Sequence, residues 1–203
     1  MTGRRLVLAG SAAIGLIAAV LIALTLLAPA SSADADPPGE DSADVGFARA
    51  MAVHHQQAVE MSFIVRDRTD DEEVRLLAYD IINTQANQRG MMLGWLETWG
   101  VPKSTPEPMA WMGEGHGGSG GAAAMPGMAT DEDLDALRAA EGRDAEVLYL
   151  ELMTAHHRGG VEMAEAATGL AETGEITNLA SGMVRAQDSE IQLMTGMLAE
   201  RGA

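Results

Sequence analysis

The side chains with the greatest chemical reach are two adjacent histidine pairs, His54-His55 and His156-His157, which account for four of the five histidines in 203 residues. Each pair lies between methionines, Met51 and Met61 in the first case, Met153 and Met163 in the second. Neutral imidazole binds Cu, Zn, Fe and Ni, and thioether sulfur adds a preference for Cu(I). Copper, as Cu(I), Cu(II) or both, uses both donor types; zinc or iron on His and carboxylate would leave the sulfur idle. Fourteen Met against two Phe and two Tyr reinforce the point, because a core ordinarily takes more of its bulk from aromatics. The absence of Cys excludes disulfide scaffolds, thiolate catalysis, iron–sulfur clusters and Cys-based zinc sites.

The elements that must position these residues are read from an internal repeat. Met51, His54, His55, Glu60 and Met61 recur as Met153, His156, His157, Glu162 and Met163 at a constant offset of 102 residues. The same offset relates Gln85 to Gln187, Gln88 to Glu190, Met92 to Met194 and Leu96 to Leu198, which marks a duplication. In each half apolar residues recur at helical spacing, and no β-type alternation competes. Thr69 or Asp70 is expected to cap a second helix that ends near Trp99, before Gly100 and Pro102. The second half opens with a short helix after Thr130, followed by long helices over about 144–171 and 175–199. Four long amphipathic helices in two hairpins predict an all-α, antiparallel four-helix bundle. At 100° per residue, Phe47, Met51, His54, Ala58, Met61 and Val65 share an arc of about 80°, so His54 points with the core stripe while Glu60 faces away. Buried imidazoles need partners, since an unpaired polar group costs roughly 2–7 kcal/mol on burial. Gln85, Gln187 and Glu190 on the following helices are candidates for that role, and so is a metal.

The expected organisation is a leader at 1–30, a polar linker at 31–43 and the bundle at 44–203, itself divided into hairpin 44–100, linker 101–129 and hairpin 130–203. Arg4 and Arg5 precede an uncharged apolar run over 6–28, which reads as a signal peptide or, if uncleaved, a membrane anchor. Either way the bundle is expected outside the cytoplasm, periplasmic or extracellular. The 101–129 segment is rich in Pro and Gly and so is expected to be irregular and mobile, yet it carries Met109, Met112, His116, Met125 and Met128. Those residues, with Met92, Met194 and Glu190, are secondary metal candidates. The linker Met could capture Cu(I), or could merely pack on the bundle. With an ordinary imidazole pKa of about 6.5, histidine-held copper is expected to weaken around pH 6.

Thirty acids against thirteen bases, a net charge of −17, exclude a nucleic-acid partner. A di-metal oxidase would need Glu-x-x-His pairs, and the positions three before each histidine are Met51, Ala52, Met153 and Thr154. No nucleophile motif of the G-x-S-x-G kind occurs in a structured context.

At these residues the chain resembles the family of domains of unknown function numbered 305. The shared pattern is an acidic residue, an aromatic, Met, His-His and Glu-Met, followed by a helix with Gln-x-x-Glu-x-x-x-Met; the Met-Pro-Gly-Met linker at 125–128 also matches. The likeness runs from about Asp44 to Arg201. Gln88 stands in place of the Glu, Glu146 in place of the Asp, and Ala52-Val53 and Thr154-Ala155 in place of Ile-Pro. The resemblance implies a ferritin-like bundle, an extracytoplasmic location and, in some members, copper binding linked to copper tolerance. It points to Met51, His54, His55, Met61, Met153, His156, His157 and Met163. The expectation is therefore a copper sequestering or transfer protein with no enzymatic activity, whose partners are the metal ion and a copper donor or acceptor or a second copy of the chain. A di-metal oxidase and a metal-free structural or interaction module are the alternatives.

Overall fold

Four of the five described α-helices begin where a short polar side chain satisfies one of the first free N–H groups. In a computed structural model, which describes residues 36–113 and 125–203, Ser42 caps α1 (Ala43–Arg66) and Asp71 caps α2 (Glu72–Thr98). Thr130 and Asp133 form a reciprocal capping box on the short α3 (Asp131–Ala139), and Thr173 caps α5 (Gly174–Glu200). Between them α4 runs Gly142–Leu170. The described residues contain no strand, and Pro38–Ala203 is one structural unit. The leader and His116 lie outside the described residues. No described helix is long and apolar enough to cross a membrane.

The expected cap of α2 is corrected from Thr69 or Asp70 to Asp71, because the Thr69 hydroxyl is engaged elsewhere: it donates to Glu146 Oε1 at 2.6 Å and accepts from the Asp71 N–H at 3.0 Å. The packing is otherwise as the repeat requires. α1 pairs with α2, α4 pairs with α5, and the two hairpins meet along α1 and α4.

The halves clasp each other through equivalent acids. Asp44, buried at the start of α1, accepts from the N–H groups of Glu172 (3.1 Å) and Thr173 (2.9 Å) and from the Thr173 hydroxyl (2.6 Å). Glu146 near the start of α4 accepts from Thr69 in the opposite turn and from Arg201 Nε at 2.8 Å. Each hairpin's turn is thus capped by the other hairpin, which sets the antiparallel register of α1 on α4.

In its described parts the linker packs on the bundle, one of the two expectations for its methionines. It forms a single 3-10 turn, Ala110–Met112, and lays Met109 and Met125 into the core, while Met112 and Met128 pack half-buried against it. At these four residues the side chains pack on the bundle, where the flexible thioethers fill the irregular end of the apolar interior.

Candidate metal centre

The repeat brings its own halves face to face at one residue. His54 of α1 and His156 of α4, equivalent under the duplication, stack with ring centroids 3.7 Å apart and planes tilted by 34°. His157 lies 6.4 Å from His156, and all four imidazoles are 0–1% exposed.

The methionines are regrouped across the halves. Because α1 and α4 run antiparallel, Met51 falls with Met163 in one core cluster, together with Met92, Met109 and Met125. Met61 falls with Met153 and Met194 in the other. Met51, Met61, Met92, Met153, Met163 and Met194 are all fully buried. The histidines occupy α1 and α4 between the positions of these Met pairs, so sulfur is available toward either end of the imidazole centre.

A second layer holds three of the rings from outside. The His54 Nε2–H donates to the Pro126 carbonyl at 3.0 Å, that of His55 to Gln88 Oε1 at 2.7 Å, and that of His157 to Glu190 Oε2 at 2.6 Å. Donation from Nε2 leaves Nδ1 as the unprotonated nitrogen of each ring. His54 Nδ1, His55 Nδ1, His157 Nδ1 and both nitrogens of His156 are buried without a hydrogen-bond partner, as are Gln85 Oε1 and Gln187 Oε1. An unmet buried polar group ordinarily costs about 1–3 kcal/mol, so five orphaned ring nitrogens in one place call for a further ligand. Four of the five, one on each neutral ring, carry the lone pair that a metal ion accepts. Among the described residues, however, no three His, Asp or Glu side chains converge as a cation site. An ion here therefore needs the thioethers, or some rearrangement of the rings, to complete its shell.

Burial sets the protonation state. It lowers His54 to about 4 and His55 to about 3 from 6.5, against the opposing hydrogen bonds from Pro126 and Gln88. His156 is held well below its ordinary value, first by burial and then by the neighbouring imidazoles. In the metal-free chain His54, His55 and His156 therefore stay neutral through the range around pH 6, so protonation of these three rings is not a source of the weaker ligation expected there.

A strap at 125–129 covers the centre. Besides Pro126 on His54, Gln57 holds both ends of the Ala129 backbone: its Nε2–H donates to Ala129 O at 2.9 Å and its Oε1 accepts from Ala129 N at 2.8 Å. The strap passes so close to α4 that a Cβ on Gly159 would lie 2.0 Å from Pro126 O, and one on Gly127 (φ +75°) 2.4 Å from Ala155 O. The role of Pro126 as a backbone partner for His54 was not legible in the sequence, since any residue supplies a carbonyl. Gly159 and Gly160, separated from the second histidine pair by Arg158 alone, were the available signal: each lowers helix stability by about 1 kcal/mol relative to Ala and so implies a close approach. Ser62 and Tyr149 form a further buried pair, O···O 2.9 Å, linking α1 to α4. The secondary candidates divide: Met92, Met194, Met109 and Met125 are buried, Met112, Met128 and Glu190 are half-buried, and His116 is outside the described residues.

These features define a class, a helical-bundle protein with a buried imidazole and thioether centre built by duplication. The match of a family model over residues 44–198 shows that the chain belongs to the DUF305 family, described as a domain of unknown function. Among solved structures it is similar to a DUF305 protein from Streptomyces coelicolor designated as secreted, with 60% identity, TM-score 0.75, and coverage of 81% of this chain and 97% of that one. A DUF305 fragment from Deinococcus radiodurans shows 30% identity and TM-score 0.66, over 78% of this chain and 96% of the other. CopM in its Cu(II)-bound form shows 28% identity and TM-score 0.60, over 78% and 97%. Its Cu(I)-bound form shows 25% and 0.61, over 77% and 96%. No curated protein matches the chain.

Proposed function

We propose that this protein is an extracytoplasmic copper-binding protein, which sequesters the ion or passes it to a partner through His and Met side chains of the bundle interior and performs no catalysis. The observation that carries the reading is the set of five buried, unpartnered ring nitrogens on His54, His55, His156 and His157, flanked by Met51, Met163, Met61 and Met153. One or two imidazoles with thioether sulfur make a soft, low-coordinate donor set, which suits Cu(I) and disfavours zinc or iron. The likeness to CopM, crystallised in Cu(I)- and Cu(II)-bound forms, supports copper. The apolar run at 6–28 and the secreted designation of the Streptomyces relative support export, with the membrane met only through that run if it is retained. A di-metal oxidase draws no comparable support: Glu60 pairs with Arg138 toward solvent and Glu162 is exposed.

Equilibrium dialysis against Cu(I), under reductant, and against Cu(II) tests the reading. The purified protein is expected to bind copper, and His54→Ala/His156→Ala to lose at least tenfold in affinity. Absence of copper above background in the unaltered protein would favour the metal-free module, a reading consistent with the lack of three converging His or carboxylate side chains. Oxygen consumption with Fe(II) would favour the oxidase.

A further inference from the structure

The duplication has left the two histidine pairs with different outer partners, and the difference is one of charge. His55 donates to the amide of Gln88 at 2.7 Å, and its equivalent His157 donates to the carboxylate of Glu190 at 2.6 Å. The geometry is the same and the residues occupy equivalent positions, so chemistry alone distinguishes them. A carboxylate only accepts hydrogen bonds, which obliges His157 Nε2 to carry the proton and leaves the buried, unpartnered Nδ1 as the donor to an ion. An amide can turn either its oxygen or its NH2 toward the ring and so enforces nothing. A carboxylate also places a negative charge behind the imidazole, where it raises ligand basicity and offsets charge on a bound cation.

Resting on the copper reading above, we infer that Glu190 is a positioning residue that makes the His157 half of the centre the site for the more highly charged ion, leaving the Gln88–His55 half to a monovalent one. A divalent ion gains about twice the Coulomb energy of a monovalent ion from the same nearby carboxylate, and burial of His157 limits the solvent that would screen it. The chain therefore holds two unequal half-sites within one symmetric fold. Glu190 is 23% exposed at its side chain, so its charge is kept partly hydrated while its hydrogen bond reaches into the core.

The test compares affinities for Cu(II) and for Ag(I), a monovalent probe that is not reduced or oxidised under the conditions used. Glu190→Gln keeps shape and an acceptor but removes the charge. It is expected to weaken Cu(II) binding by about tenfold to a hundredfold, with Ag(I) affinity changed by less than about threefold. Gln88→Glu should strengthen Cu(II) binding, and the exchanged double variant, Gln88→Glu with Glu190→Gln, should restore the original preference because the halves are equivalent. A purely structural role for Glu190 would lower both affinities together and would not be rescued by the exchange. Equal Cu(II)-to-Ag(I) ratios in the unaltered protein and Glu190→Gln overturn the inference while leaving the copper reading intact. If the unaltered protein binds neither ion, the copper reading falls and takes the inference with it.

Discussion

At the scale of single residues, the centre is defined by what burial does to imidazole. His54 and His55 are held at about 4 and about 3, below the ordinary 6.5. A histidine whose folded pKa is depressed takes up its proton on unfolding between the two values, so acid favours the unfolded chain. The contribution to stability is fully present above about pH 6.5 and is lost as pH falls through that value toward 4. The slope is on the order of 1.4 kcal/mol per pH unit for each such ring. Urea denaturation of the metal-free protein at steps between pH 7 and 5, above the range where most carboxylates titrate, should show this fall. A flat profile there would mean that the rings are solvated rather than buried.

At the scale of elements, the strap at 125–129 and α4 are fitted to each other through glycine. Gly159 admits the Pro126 carbonyl, and that carbonyl in turn receives the His54 Nε2–H. Gly159→Ala would press a methyl group onto a backbone oxygen, which only a shift of the strap can relieve. The expected cost is about 1–3 kcal/mol, as for other overpacking changes. The displaced strap should also expose Met125 and Met128, so their oxidation by dilute peroxide, followed by mass spectrometry, should accelerate. An unchanged oxidation rate would show that the strap had not moved and that the contact is looser than the geometry states. Gln57 provides a second hold on Ala129, so Gln57→Ala should act in the same direction without steric strain.

At the scale of the whole molecule, the two hairpins are joined by reciprocal capping, Asp44 on the turn at Glu172 and Thr173, Glu146 on Thr69 and Arg201. Asp44 is buried and satisfies two N–H groups and one hydroxyl. Asp44→Ala leaves those donors unmet, and a loss of about 2–3 kcal/mol is expected, since hydrogen bonds to a charged group contribute roughly 1.5–3 kcal/mol and do not add fully. Chemical denaturation should report one cooperative transition at lower midpoint. Two separated transitions would show that the hairpins are independent units and that the clasp does not couple them.

The duplication, the helices and the histidine-methionine motif were all legible in the chain, because they depend on local period and on residue type at a fixed offset. His54 could be assigned to the core stripe from helical angle alone, and its burial follows. Pairing of Met51 with Met163 and of Met61 with Met153 could not be read in this way, because it depends on the antiparallel meeting of α1 and α4. The stacking of His54 on His156 has the same origin: equivalent residues touch only where the symmetry relation of the two halves passes between them. The sequence left open whether the linker methionines are free or packed, because Gly and Pro describe the backbone and not what a side chain covers, and tertiary packing placed Met109 and Met125 inside. The depressed histidine pKa values likewise belong to the folded state, since desolvation is a property of the surroundings and the same imidazoles in an open chain would titrate at their ordinary value.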